Sequence, residues 1–321
     1  MTDSRSDALR PDTRAVHVPQ PVVEGSRPIT MPIYQTSGFT FDDPAVMADS
    51  MGRPDGAYVY GRYTNPTVRS LELAVSGLEG GAGAIATGSG MGAINTVLLA
   101  LLKPGDHLIA QSSLYGGTAA MLAELAGRFG ITVTHVPEND PAALRAAARP
   151  ETKLVYLETI SNPMTLVADL PAMCAAAREL GLVSVVDNTF ATAMLCRPIE
   201  HGADIVVHST TKYLSGHTDV VGGLAVFADP ALYERVWHFA IELGAAAEPF
   251  ASWLVLRGLQ TLALRMERHC SNARLLATRL AGHPAVAAVH WPGLESHPSY
   301  ELAGKLLSGF GGVFSFDLAG G

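Results

Sequence analysis

Cysteine is close to missing from this chain: three in 321 residues, at Cys174, Cys196 and Cys270. Their odd number and wide spacing exclude a disulfide framework and offer no metal-ligand spacing, so no metal is expected and a reducing, cytoplasmic setting is. Charge is sparse as well, at 16% of residues, which leaves little chain for solvated linkers. Lys and Arg number 22 against 30 Asp and Glu, a net charge of −8. With no local basic run to offset that balance, nucleic acid is not an expected partner. Long hydrophobic runs are absent too. The most apolar stretch, "AINTVLLALL" (Ala93–Leu102), is too short to span a bilayer. The polar start "MTDSRSDALRPDTRAVHV" lacks the apolar centre of a signal peptide. There is no internal repeat or low-complexity tract.

What remains is material for a core. Hydrophobic residues make up 48% of the chain, enough for a large buried interior and roughly two domains. Residues 1–62 read as an irregular arm rich in Pro, Gly and polar side chains. From residue 63 to 250, short apolar strands such as "AGAIAT", "HLIAQ", "KLVYLE", "LVSVVD" and "IVVHST" alternate with helical patterns such as "NPTVRSLELAVSGLEG" and "TAAMLAELAGRFG". That alternation predicts an α/β fold, a mostly parallel sheet with helices on both faces. After about Ala251 longer helical segments precede "AVAAVHW" and "GGVFSFDL", which predicts a smaller C-terminal domain over 251–321. Ending directly after a strand-like run, that domain reads as truncated. In a parallel sheet the ligand sits beyond the carboxyl ends of the strands, so the strand ends are where function is sought.

Three strand ends carry chemistry. "TGSGMGA" (Thr87–Ala93) is a strand–glycine turn–helix junction, where close backbone approach and helix N–H groups favour a phosphate. A dinucleotide would also need an acid near the end of the next strand. The nearest one, Asp106, precedes that strand and so lies at the wrong end, and no Lys-Ser/Thr follows the glycines as in a Walker loop. "VVHSTTKYLSGH" (Val206–His217) runs an apolar strand into Ser209, Thr210, Thr211 and Lys212. A lysine buried there would be held as the amine that forms a Schiff base with a carbonyl cofactor, with Ser209 and Thr211 placed to donate to a phosphate. "VSVVDNTF" (Val183–Phe190) ends its strand on Asp187, a carboxylate able to pair with a protonated ring nitrogen. Singly, each has an ordinary reading: a packed glycine turn, a surface lysine, a loop-capping aspartate. Jointly they favour pyridoxal phosphate (PLP) over a nicotinamide.

With these residues in view, the chain resembles the cystathionine γ-synthase/γ-lyase (Cys/Met metabolism) family of PLP enzymes of fold type I. The resemblance rests on "YGRYTNPT" (Tyr60–Thr67), "GSGMGAI", "LYGGT" (Leu114–Thr118), "ETISNP" (Glu158–Pro163), "VVDNTFAT", "HSTTKYLSGHTDVVGG" and "LRGLQTLALRM" (Leu256–Met266). It implies roles position by position. Lys212 would bind the cofactor covalently and shuttle protons, Asp187 would pair with the pyridine nitrogen, and Tyr115 would stack on the ring and assist proton transfer. Ser89, Gly90, Met91, Ser209 and Thr211 would hold the phosphate, and Asn162 would approach the ring hydroxyl. Tyr60 and Arg62 would reach the phosphate in a neighbouring subunit, implying a homo-oligomer, a dimer of dimers.

The resemblance also implies γ-replacement or γ-elimination on a homoserine-derived or sulfur amino acid, with a thiol as possible co-substrate, in transsulfuration or amino-acid biosynthesis. Alternatives are an O-acetylhomoserine sulfhydrylase, a methionine γ-lyase-like enzyme, a specialised biosynthetic relative or a catalytically dead PLP-binding truncation. Three departures stand out. Gly117 occupies the place of a cysteine found in methionine γ-lyases, and Ala193 that of a usual proline. The family's "RLSVGxE" stretch, whose arginine holds the substrate carboxylate, has no counterpart here.

Overall fold

In the computed structural model, residues 10–17 and 28–320 are described. Among the described residues, nine strands are formed: β1 (Gly83–Thr87), β2 (His107–Gln111), β3 (Thr132–Val136), β4 (Thr152–Glu158), β5 (Val183–Asp187), β6 (Ile205–His208), β7 (Gly223–Phe227), β8 (Val286–His290) and β9 (Ser315–Leu318). The first seven are ordered β1-β7-β6-β5-β4-β2-β3. β2 pairs in parallel with both β3 and β4, and β4 with β5, whereas β1 and β7 are antiparallel. The sheet is therefore mostly parallel, and helices occupy the connections, as the alternating pattern predicts. β7 is the exception to that pattern. Its apolar "GLAVF" follows a long glycine-bearing turn rather than a helix, and the helix–strand alternation does not point to it.

Local sequence explains the elements. The central strands are apolar along their whole length because both faces are covered; every residue of β2, and all of β4 but Lys153, is buried. β3, at one end of the order, carries Thr132, Thr134 and His135 at exposed or half-buried positions, as suits an edge. The helix Pro66–Glu79 starts on Asn65, whose side chain accepts from the Thr67 and Val68 N–H groups, and stops at Gly80 with φ 78°. A left-handed residue there closes the helix without Cβ strain.

Two contact units are present. One joins residues up to 100 with 207–262, and the other joins 101–206 with 263–321. The core of the first is built on Val97, Leu98, Leu224, Val226 and Phe227. That of the second is built on Leu108, Ile109, Leu154, Val155, Val185 and Val186. The second also holds the β8–β9 pair, whose apolar cluster centres on Ala273, Ala277 and Trp291 with Phe310 and Phe314 against it. Because β2, β4 and β5 run in parallel, their last residues Gln111, Glu158 and Asp187 come out along one edge.

Candidate functional site

In the first unit the predicted glycine turn is a meeting of backbones. β1 ends at Thr87 and the helix Gly90–Leu101 begins three residues later. Ser89 caps that helix: its Oγ accepts the Gly92 N–H at 3.0 Å, while Thr87 Oγ1 donates to the Ser89 carbonyl at 2.9 Å. A Cβ on Gly90 would stand 2.8 Å from Ser209 Cβ, and one on Gly223 would stand 2.1 Å from the Ser89 carbonyl oxygen. Loops 88–91 and 209–212 and the start of β7 thus touch at distances only glycine permits. The result is a helix N-terminus, which favours an anion, beside the hydroxyl of Ser209.

Lys212 belongs to the same turn, its N–H donating to the Ser209 carbonyl at 3.2 Å. The side chain is exposed, not buried as its place after an apolar strand predicts. β6 ends at His208, and of the turn that follows, Thr210 is buried while Lys212 faces out. Thr211 Oγ1 accepts the Gly222 N–H at 3.0 Å and donates to the Gly222 carbonyl at 3.2 Å. To serve a phosphate, that hydroxyl must redirect its proton from Gly222. Behind the turn, His208 Nε2 lies 2.7 Å from Glu79 Oε1, both side chains fully buried, which ties the end of β6 to the helix Pro66–Glu79. The guanidinium of Arg62 lies against its own chain. It is 5.7 Å from the Tyr60 ring centroid, 5.1 Å from that of Tyr63, and donates to the Ile241 carbonyl.

In the second unit the strand ends carry carboxyl groups. Glu158 and Asp187 are register partners on β4 and β5, so their side chains emerge on the same face. Asp187 Oδ1 accepts the Thr189 N–H at 2.9 Å, and Tyr156 OH donates to Oδ2 at 3.4 Å. Glu158 accepts from Tyr115 N–H at 2.8 Å and Asn162 N–H at 3.3 Å. Burial, and then the charge of Asp187, push the Glu158 carboxyl up to about 8, against the pull of those two N–H bonds. Burial also raises Tyr156 well above a phenol's usual range, with Asp187 adding to it. The Tyr115 ring is 46% exposed, open to stack on a planar ligand, and a Cβ on Gly117 would stand 2.5 Å from its Cε1. The loop after Asn162 is held by distant residues. Thr165 Oγ1 donates to the His290 carbonyl, Val167 N–H to Ser299 Oγ, and Ser315 Oγ to the Pro163 carbonyl.

The first unit therefore gathers Ser89, Gly90, Ser209, Thr211 and Lys212, with Met91 opening the same helix. The second gathers Tyr115, Asn162 and Asp187. Glu158 and Tyr156 lie beside these residues, and the sequence assigns neither of them a role. The available signal was two polar groups, at alternate positions, closing an otherwise apolar strand. Each unit offers part of what PLP requires: the first, backbone and hydroxyl groups suited to a phosphate and an amine suited to an aldehyde; the second, a carboxylate suited to a ring nitrogen and an open aromatic face.

The family described as Cys/Met metabolism PLP-dependent enzyme matches residues 12–321. The L-methionine gamma-lyase of Pseudomonas putida is 42% identical over 311 residues, covering 96% of this chain and 78% of that protein. A probable cystathionine gamma-synthase of Herpetosiphon aurantiacus is 42% identical over 309 residues, 96% of this chain and 94% of that protein. The crystal structure of cystathionine gamma synthase from Xanthomonas oryzae pv. oryzae in complex with aminoacrylate and cysteine aligns with a TM-score of 0.90 at 40% identity. It covers 98% of this chain and 79% of the other.

Proposed function

From the premise that the chain belongs to the Cys/Met metabolism PLP-dependent enzymes, we propose a division of labour among its residues. The chain is a PLP-dependent enzyme of fold type I, of the cystathionine γ-synthase/γ-lyase kind, acting by γ-replacement or γ-elimination on homoserine-derived or sulfur amino acids. One observation carries the assignment of residues: Ser209 packs on Gly90 within the turn that also bears Lys212. An anion seated at that helix N-terminus therefore sits beside the amine-bearing turn.

When bound, PLP supplies an electron sink for the carbon that loses a proton. Ser89, Gly90, Met91, Ser209 and Thr211 hold its phosphate. Lys212 would hold it covalently through its amine, and the same amine would carry the proton at the substrate Cα. Asp187, which accepts hydrogen bonds from the Thr189 N–H and the Tyr156 hydroxyl, would pair with the protonated ring nitrogen. Tyr115 covers the ring, and Asn162 orients its hydroxyl. Tyr60 and Arg62 serve the phosphate of a neighbouring copy in a homo-oligomer, a dimer of dimers, within the cytoplasm. A methionine γ-lyase-like specificity is the second reading: the 42% identity to the Pseudomonas putida enzyme equals that to the Herpetosiphon aurantiacus cystathionine gamma-synthase, while Gly117 in place of a cysteine weighs against it.

Purified protein is expected to be yellow, and borohydride to fix the cofactor on Lys212. Trapping that persists in Lys212→Ala overturns the assignment. Products formed from O-acetylhomoserine, O-succinylhomoserine, cystathionine and methionine, with and without cysteine or sulfide, separate replacement from elimination. Turnover of methionine alone would select the second reading.

A further inference from the structure

Glu158 takes no part in the chemistry above, yet both oxygens of its carboxyl group are engaged. It is 4% exposed and closes β4. One oxygen, Oε1, accepts the N–H of Tyr115, and the other, Oε2, accepts that of Asn162. Its own N–H donates to Gln111 Oε1 at 2.7 Å, and Gln111 Nε2 donates to the Ser113 carbonyl at 2.5 Å. The loop after β2 and the loop after β4 are therefore fastened to one carboxyl group. Tyr115 stands at the N-cap of the helix Gly116–Phe129, where the main-chain N–H has no acceptor within the helix and needs one from elsewhere. Two main-chain donors on separate loops require two acceptor atoms on one side chain, which a carboxyl group supplies and an amide does not. Aspartate is shorter by a methylene.

We infer that Glu158 is a positioning residue: it fixes the main chain at Tyr115 and Asn162 so that both side chains meet the PLP ring beside Asp187. The inference rests on the reading above, in which those three residues face the ring. The price is a carboxyl group buried next to Asp187, a cost that a glutamine would avoid. Its retention there points to the double acceptor as the reason for the residue.

The test is amide hydrogen exchange at Tyr115 and Asn162 in Glu158→Gln and Glu158→Ala, in protein with and without PLP, together with PLP affinity. Glutamine has one acceptor oxygen, so one of the two amides must lose its partner. The Asn162 amide, with the longer bond, should exchange about tenfold faster while that of Tyr115 stays protected. Both should be released in Glu158→Ala, and PLP affinity should fall about tenfold in each variant. Full protection of both amides in Glu158→Gln overturns the inference. So does unchanged PLP affinity alongside released amides, because the clamp would then do nothing for the ring. Should Glu158→Ala fail to fold, Glu158→Gln, near in shape, decides alone. Failure of the underlying reading looks different: wild-type protein takes up no PLP, or borohydride traps it away from Lys212, whatever the amides do.

Discussion

The loops around Gly90 and the strand ends around Glu158 meet similar demands by opposite means. The first region uses main chain: a helix N-terminus, small hydroxyls and glycines packed where any Cβ would collide. Its attraction for an anion comes from peptide dipoles, which do not titrate. The second uses buried carboxyl groups side by side, with Glu158 pushed up to about 8 by burial and Asp187. A phosphate carries its charge wherever it goes, so fixed dipoles suffice. A ring nitrogen must be kept protonated, which takes a carboxylate whose own charge depends on its neighbours. The first region should therefore be sensitive to shape and the second to pH.

Three substitutions probe that contrast. Asp187→Asn should have the largest effect. Removing one partner of a charge pair costs about 2–5 kcal/mol, so turnover should collapse while PLP stays bound through Lys212; steady-state rates and the visible spectrum report the two separately. Gly223→Ala comes next. Its Cβ would stand 2.1 Å from the Ser89 carbonyl oxygen, and overpacking of this sort costs about 1–3 kcal/mol. PLP affinity and the melting temperature should fall, whereas exchange at Tyr115 and Asn162 should not change. A change at those amides would show that the two regions are not independent.

The smallest effect is a slope. The folded-state carboxyl of Glu158 titrates near 8, above its unfolded value. Its contribution to stability is thus complete below the unfolded value, about 4.3, and is lost as pH rises through about 8. The loss is at most about 1.4 kcal/mol per pH unit. Burial first, and then the charge of Asp187, set that range against the pull of the Tyr115 and Asn162 N–H groups. In PLP-free Glu158→Gln, urea midpoints between pH 5 and 8 should lose this downward slope, and an unaltered slope would assign it to another residue.

Local patterns carried much of this. The glycine turn, the apolar strand ending on Asp187 and the strand running into Lys212 are each contained within about ten residues, and the α/β fold follows from the same alternation. What was not legible is long-range. The Glu158 clamp joins residues 43 positions apart, and no spacing rule reaches that far. β6 stops at His208, two residues short of the end of the predicted strand "IVVHST", and Lys212 is exposed in the turn beyond it. The resting place of Arg62, against Tyr63 and the Ile241 carbonyl, depends on a contact 179 positions away.

The bonds that secure residues 163–167 come from partners 125 to 152 positions further along the chain. At about 5–20 residues per second, a ribosome delivers those partners roughly 6–30 s after the loop itself. The turn bearing Lys212 is made, and its neighbours are all available, well before then. A nascent chain thus has the proposed anchor, Lys212, in place while the loop after Asn162 still lacks its distant partners. Capture of PLP during synthesis would begin as a weak hold and tighten only when the stretch from His290 to Ser315 has emerged.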